Sequence, residues 1–186
     1  MVINMSKVCV FFAEGYEEIE ALTVVDILRR AGVTVEMVSI TGEKKVTGSH
    51  KIPVEMDKLF EEVDFEQTDM IVLPGGMPGT INLEAFEPLM KQVEAFYAQK
   101  KYIAAICAAP SIFGHRGMLQ GRCACSNPGF ESHLEGANVK KEPAVVDGHV
   151  ITSRGMGTAI PFGLAILGQL EGADAVTKMK EKIVFD

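Results

Sequence analysis

One cysteine in the sequence has neighbours that would make it reactive. Cys107 follows the apolar run Ile103–Ile106 and precedes Ala108-Ala109-Pro110, so it stands where a strand gives way to a helix. At a helix N-terminus, the positive end of the dipole and free backbone N–H groups favour the thiolate, which is the nucleophilic form. The small neighbours would also leave room for a substrate. A buried structural cysteine is the alternative, and position alone does not decide between the two.

A glycine pair could assist such a thiol. Gly75 and Gly76 follow the buried run Met70–Leu73, and backbone N–H groups freed at glycines can point at a ligand oxygen as an oxyanion hole. A simple tight turn is the alternative. The pattern is neither a phosphate-binding loop nor a dinucleotide fingerprint.

Carboxylates cluster just after the first predicted strand. Such groups in a first helical turn usually complement the helix dipole. Glu20 differs because it adjoins an apolar stretch, where desolvation would raise its pKa and make it a neutral donor to a thiolate. These residues alone do not favour Glu20 over Glu17. The cluster comprises Glu14, Glu17, Glu18 and Glu20.

Metal ligands are sparse, and no metal site is expected. The spacing Cys123-Ala-Cys125 is not that of zinc knuckles or redox motifs, and the cysteines should be thiols in a reducing compartment. His115 and His133 are near in sequence, so a shared metal ion is the alternative there to ordinary surface histidines. None of the histidines adjoins Cys107; they are His50, His115, His133 and His149.

Length and charge exclude several classes of protein. The chain has 186 residues, a net charge of −7 and a pI of about 5.2, so we expect one domain over residues 1–186, in which residues 1–5 could be flexible. A basic patch for nucleic acid is absent, and no apolar run approaches the roughly 20 residues of a membrane span. We therefore expect a cytoplasmic protein that binds neither nucleic acid nor membrane.

Short apolar strands alternate with helical stretches, which predicts an α/β fold with a mostly parallel sheet. Ligands of such sheets bind beyond the carboxyl ends of the strands, so Ala13–Glu20, Pro74–Thr80 and Cys107–Pro110 should meet. The run Glu17–Ala31 predicts a helix that ends at Gly32, and its apolar residues, Ile19 among them, lie on most sides, so this helix should be well buried. Three expectations concern other segments: an edge hairpin at Val46–Glu55, an N-cap at Thr158 and an N-cap at Asp174.

Five motifs in order make the chain resemble the ThiJ/PfpI superfamily, in the branch of the Parkinson-disease-associated protein deglycase and its bacterial relatives. The resemblance extends over nearly the whole chain. The motifs are Glu14-Gly-Tyr-Glu-Glu-Ile-Glu20, Val25-Asp-Ile-Leu-Arg-Arg-Ala-Gly32, Val72-Leu-Pro-Gly-Gly76, Ala104-Ala-Ile-Cys-Ala-Ala-Pro110 and Thr152-Ser-Arg-Gly-Met-Gly-Thr158.

The resemblance implies a flavodoxin-like three-layer sandwich with helices on both faces, assembled as a homodimer. It implies that Cys107 is a nucleophile on a strand-to-helix elbow and that Glu20 hydrogen-bonds its sulfur. Gly75, Gly76 and the backbone of Ala108 match the oxyanion-stabilising groups. The activities it implies need no cofactor: conversion of reactive 2-oxoaldehydes, repair of glycation adducts, redox sensing and chaperone action.

Two positions depart from the family pattern. Asn127 stands where the deglycase branch has a histidine, and an amide cannot shuttle a proton. Ala108 stands where the protease branch has a histidine, which argues against a Cys–His peptidase. The sequence therefore predicts a cysteine-dependent glyoxalase or deglycase acting on small carbonyl compounds. The alternative is a non-enzymatic redox sensor or chaperone that works through oxidation of Cys107.

Overall fold

The computed structural model describes residues 6–186, so the predicted flexibility of residues 1–5 lies outside the described part of the chain. The strands are β1 Lys7–Phe12, β2 Thr34–Ser39, β3 Lys45–Thr47, β4 Pro53–Glu55, β5 Lys58–Leu59, β6 Met70–Leu73, β7 Tyr102–Ile106, β8 Cys123–Ala124, β9 Asn138–Val139, β10 Ala144–Asp147 and β11 Val150–Ser153. The α-helices are α1 Glu18–Arg30, α2 Gly79–Ala85, α3 Glu87–Ala98, α4 Pro110–His115, α5 Ala159–Glu171 and α6 Ala173–Ile183.

A seven-stranded sheet forms the centre of the fold. Its strand order is β10-β11-β7-β6-β1-β2-β5, and only the pair β10–β11 is antiparallel. Helices cover both faces, which confirms the predicted flavodoxin-like three-layer sandwich. None of the helices within residues 6–186 is long and apolar enough to cross a membrane.

Strand β1 shows why its sequence is a continuous apolar run. Val8, Val10 and Phe12 belong to the core formed with α1, α5 and α6, whereas Cys9 and Phe11 belong to the core formed with α2, α3 and α4. A parallel strand covered by helices on both faces buries every side chain, so no polar alternation appears in its sequence.

The carboxyl ends of three adjacent strands create the place for a site. Strands β7, β6 and β1 are neighbours in the sheet, and the loops that leave them contact one another. The Glu17 N–H donates to the Gly75 carbonyl at 2.9 Å, and the Gly79 N–H donates to the Gly15 carbonyl at 3.1 Å. The prediction that these loops meet is therefore confirmed.

Three local predictions need correction in whole or in part. The hairpin at Val46–Glu55 forms a separate two-stranded ribbon of β3 and β4, because β5 and β10 occupy the edges of the central sheet. Thr158 is the N-cap residue of α5, as predicted, but its hydroxyl makes no capping bond and instead accepts the N–H groups of Arg154 and Gly155. The N-cap of α6 is Gly172, and Asp174 lies within the first turn.

Candidate active site

Cys107 occupies the turn between β7 and α4 in a backbone conformation that non-glycine residues rarely adopt. Its φ is 66°, in the left-handed region, at a cost of about 1–3 kcal/mol that the surroundings must offset. The Cys107 N–H donates to the Ser153 carbonyl at 3.0 Å, and its carbonyl accepts from the Asn127 N–H at 2.8 Å. These two bonds hold the strained turn from both sides and leave the thiol half-buried.

Glu20 reaches the same point from the first turn of α1. Its side chain is buried beside Cys107, and its Oε2 accepts the Gly75 N–H at 3.0 Å. A methyl group at Gly75 would lie 2.5 Å from both the Cys107 Cβ and Glu20 Oε2. Position 75 must therefore be glycine, because the Glu20 carboxyl and the Cys107 side chain both pack directly against its Cα.

The pair titrates as a coupled unit. Burial raises the pKa of Glu20 to about 7, the nearby Glu17 carboxylate adds to the rise, and hydrogen bonds from Cys107 and Gly75 oppose it. Burial, together with the Glu20 carboxylate, raises the pKa of the Cys107 thiol to about 12. The expected lowering by the helix N-terminus is thus outweighed. Below about pH 7 both groups are protonated, and above it the pair keeps one proton, which Cys107 and Glu20 share.

The predicted oxyanion groups divide into two sets. The backbone N–H groups of Gly76 and Ala108 lie on the sulfur side and act to lower the pKa of the Cys107 thiol. The Gly75 N–H instead donates to Glu20, so it holds the carboxyl in place. Two N–H groups beside the sulfur can stabilise negative charge on a thiolate or on an oxygen attached to a neighbouring carbon.

Asn127 lies beside this pair on the loop that follows β8. Its Nδ2 donates to the Arg154 carbonyl at 3.2 Å, and it is also 3.1 Å from where a Cβ of Gly155 would lie. That same Cβ would be 3.8 Å from Glu20 Oε1. The structure therefore brings Asn127 to the Glu20 side of the site. Gly155 was not predicted, although it lies within the motif Thr152–Thr158.

The other carboxylates of the cluster support the first turn of α1. Glu17 is the N-cap, and its Oε2 accepts the Glu20 N–H at 2.7 Å. Glu18 is buried and binds His50, with 2.8 Å from the His50 N–H to Oε1 and 3.0 Å from Nδ1 to Oε2. The sequence predicts only dipole compensation for Glu18. Its partner, His50, lies 32 positions away, so no local pattern indicates this contact.

Glu17, Glu18 and His50 are also the only group of three metal-ligand side chains that meet within residues 6–186. Their ligand atoms lie within 4.8 Å of one another. Two of the oxygens already accept backbone N–H groups, so the arrangement is explained by the protein's own hydrogen bonds.

A comparison with known protein families identifies the family of this chain. The model of the DJ-1/PfpI family matches residues 6–169. The chain belongs to the DJ-1/PfpI family. That membership confirms the resemblance carried by the five sequence motifs.

Curated relatives match nearly the whole chain. The Parkinson disease protein 7 homolog of Danio rerio is 32% identical over 183 residues, which is 96% of this chain and 97% of that protein. The glutathione-independent glyoxalase DJ-1 of Schizosaccharomyces pombe is 32% identical over 181 residues, 91% of this chain and 94% of that protein. The Arabidopsis thaliana protein DJ-1 homolog B is 34% identical over 184 residues, 98% of this chain. The chain spans about two fifths of the length of the two Arabidopsis homologs it matches.

A solved structure agrees with the fold. The structure named Toxoplasma gondii DJ-1, oxidized, has a TM-score of 0.92 and 34% sequence identity, and the match covers 97% of this chain and 98% of that one. The family's architecture is thus present from β1 to α6.

Proposed function

We propose that the protein is a cofactor-independent, cysteine-dependent enzyme that converts reactive 2-oxoaldehydes to 2-hydroxy acids or removes their early adducts. The observation that carries this is the contact of a strained Cys107 with a buried Glu20 whose pKa is raised to about 7. A general acid–base works best when its pKa is near the working pH. The Schizosaccharomyces relative is named a glutathione-independent glyoxalase, which supports the same reaction class.

The reaction balances within the pair. The Cys107 sulfur adds to the aldehyde carbon, and the shared proton passes to the new oxygen, giving a neutral hemithioacetal and a Glu20 carboxylate. Glu20 then takes the proton from that carbon and returns it to the neighbouring carbon, while the hydroxyl proton passes to the oxygen of the neighbouring carbon, leaving a 2-hydroxy thioester. Water hydrolyses the thioester to the 2-hydroxy acid and returns one proton to the pair. The N–H groups of Gly76 and Ala108 stabilise the oxygen while it is charged.

Formation of lactate from methylglyoxal by the purified protein tests this proposal. We expect turnover by the wild type and none by Cys107→Ser. Cys123→Ser is the matched control, because Cys123 is also half-buried but lies on β8. Equal turnover by Cys107→Ser would refute cysteine catalysis. Reactions without protein, and with heat-denatured protein, measure scavenging of the aldehyde by amines and thiols.

Oxidation of Cys107 is the second candidate function. A protonated Glu20 could donate to a sulfinate oxygen, and the named oxidation state of the Toxoplasma structure supports such chemistry in a relative. Each of two hydrogen peroxide molecules would transfer one oxygen atom to the sulfur and leave as water. Mild peroxide should then give more sulfinate in Glu20→Gln, which keeps a donor, than in Glu20→Leu, which has none. Equal yields by mass spectrometry would refute a role for Glu20 in holding the oxidised sulfur.

A second copy of the chain is the partner we propose for the outer face of α1. Ile19 and Ile52 are about half exposed, at 49% and 51%, and lie on one apolar surface with Leu22, Ile27 and Ile160. Ile19 belongs to a helix that the sequence predicts to be well buried. Burial of this side chain in a homodimer would explain why it is exposed in the single chain. Light scattering should give about twice 20.2 kDa, and Ile19→Lys should give the monomer. A monomeric wild type at micromolar concentration would refute the dimer.

The cytoplasmic location stays a prediction from the sequence, and it is consistent with cysteines that remain thiols.

A further inference from the structure

A second cluster of polar side chains lies at the far end of α4 from Cys107. His115 ends this helix, and its Nδ1 is 2.7 Å from Glu84 Oε1 at the end of α2. Its other ring nitrogen, Nε2, is 3.0 Å from His133 Nδ1 in the turn Glu131–His133. Three segments that are distant in sequence thus supply one row of groups: carboxylate, imidazole, imidazole.

The backbone is shaped to allow this contact. A side chain at Gly114 would collide with the His133 carbonyl, so this glycine lets the turn Glu131–His133 pack directly on α4. The Phe130 ring packs against His133 with 5.8 Å between ring centroids. The two imidazoles therefore have defined positions although both are exposed to solvent.

The hydrogen bonding sets the tautomer of the first imidazole. Because Glu84 can only accept when ionised, His115 donates to it through Nδ1, and in the neutral ring Nε2 then carries a lone pair aimed at His133. A carboxylate behind a histidine in this way is the usual outer partner of a metal-binding imidazole, since it orients the ring and raises its basicity.

The separation of the two nitrogens also fits a shared cation. Zinc binds imidazole nitrogen at about 2.0–2.1 Å, so two nitrogens in a tetrahedral site lie roughly 3.3 Å apart. The observed 3.0 Å needs an adjustment of only a few tenths of an ångström in separation. The His133 proton must also move from Nδ1 to Nε2, and the rings must turn, so that both lone pairs face the ion. We propose that His115 Nε2 and His133 Nδ1 bind a divalent transition-metal ion that prefers imidazole, with Glu84 as the positioning residue and water in the remaining coordination positions.

This site would be separate from Cys107 and would link α4 to the loop that carries Asn127. Helix α4 begins three residues after Cys107, and the loop to His133 carries Asn127. A metal ion bound at the far end would join these segments, so it should stabilise the fold without contacting the substrate. The expectation of no metal site rested on sequence spacing, which does not show that the two rings meet.

Zinc titration of the untagged full chain by calorimetry tests the proposal. We expect one Zn²⁺ per chain, a loss of at least tenfold in affinity in His115→Ala and in His133→Ala, and a loss of about tenfold in Glu84→Gln. His50→Ala is the matched control, because it removes a histidine from the competing group with Glu17 and Glu18. Its affinity should equal that of the wild type.

A Co²⁺ absorption spectrum of the wild type provides a check that needs no variant. Imidazole and water ligands give no thiolate-to-metal charge-transfer band, so such a band would place the ion on a cysteine and overturn the proposal. Absence of binding by the wild type would also overturn it and leave a plain hydrogen bond between the rings. Loss of binding in His50→Ala alone would move the site to the Glu17–Glu18 cluster.

Discussion

Glu18 and Glu20 are two residues apart in the same helical turn, and both are buried, yet their pKa values shift in opposite directions. Burial opposes ionisation of both carboxyls. For Glu18, the hydrogen bonds from the side chain and backbone of His50 and from the backbone of Ile52 outweigh burial and lower the pKa. For Glu20, a thiol and a single N–H do not, so burial raises its pKa to about 7.

The comparison distinguishes Glu18, a carboxylate with a structural role, from Glu20, the carboxyl proposed for acid–base catalysis. A carboxyl with several donors around it stays ionised and holds the ribbon loop at His50 against α1. A carboxyl with few donors can exchange a proton near neutral pH, which acid–base catalysis requires. The number of donors facing each carboxyl, together with the stronger desolvation of Glu20, distinguishes the two roles.

The largest expected effect is on turnover. Glu20→Gln should lower the rate of 2-oxoaldehyde conversion about 10²–10⁴-fold, because an amide cannot accept and return the proton. Glu18→Gln should change it only a few-fold, since Glu18 binds His50 and not the thiol. Lactate assays on both variants measure this difference. Full turnover by Glu20→Gln would show that another group moves the proton.

The next effect is on the pH dependence of stability. The pKa of Glu20 is raised in the fold from 4.5 to about 7, so the folded state binds more protons than the unfolded state between these values, and stability falls as pH rises through that window. Glu20→Gln removes this loss. It should therefore be more stable than the wild type by about 3 kcal/mol above pH 7, and equally stable near pH 4.

Urea unfolding at several pH values measures that gain, with the exposed Glu135→Gln as a control that should show none. A pH-independent difference between Glu20→Gln and the wild type would contradict the raised pKa of Glu20.

Glu18→Gln should have the opposite sign. The pKa of Glu18 is lowered in the fold, so its carboxylate contributes stability that is present above pH 4.5 and is lost as pH falls through the folded value. Removing the charge should cost about 2 kcal/mol at neutral pH, because hydrogen bonds to a buried charged group are lost. The cost should shrink in acid. Thermal melts at pH 7 and pH 3 test this, and a stabilised variant at pH 7 would contradict it.

The smallest effect is expected from His50→Ala. The His50 ring is exposed, and its ion pair with Glu18 is screened by solvent. Its pKa is raised by the hydrogen bond and the charge of Glu18, so the pair contributes below pH 6.5 and loses its contribution as pH rises through the folded value. The free energy of unfolding of the variant, measured with urea, should therefore differ more from that of the wild type at pH 5.5 than at pH 9. A larger loss of stability at pH 9 than at pH 5.5 would contradict the raised pKa of His50.

The core elements could be predicted because their sequence signals are local. Strand β6 was predicted with its observed bounds, and the helix expected at Glu17–Ala31 is α1 to within one residue at each end. Continuous apolar runs and a terminal glycine depend only on neighbouring residues. The hairpin at Val46–Glu55 was placed wrongly because which strands form the edges of the sheet depends on pairing over long distances.

The sequence by itself determined the elbow at Cys107, the glycines of the β6 loop and the family they indicate, since motif residues are recognised by type and order. The choice of Glu20 among four neighbouring carboxylates came from the family motif and not from local chemistry. Only the tertiary structure decided that the Gly75 N–H is engaged by Glu20 and that His115 meets His133. The physical reason is that hydrogen bonds and desolvation act over a few ångströms in space. The partners lie 55 residues apart for Gly75 and Glu20 and 18 apart for the histidines, and no local pattern records them.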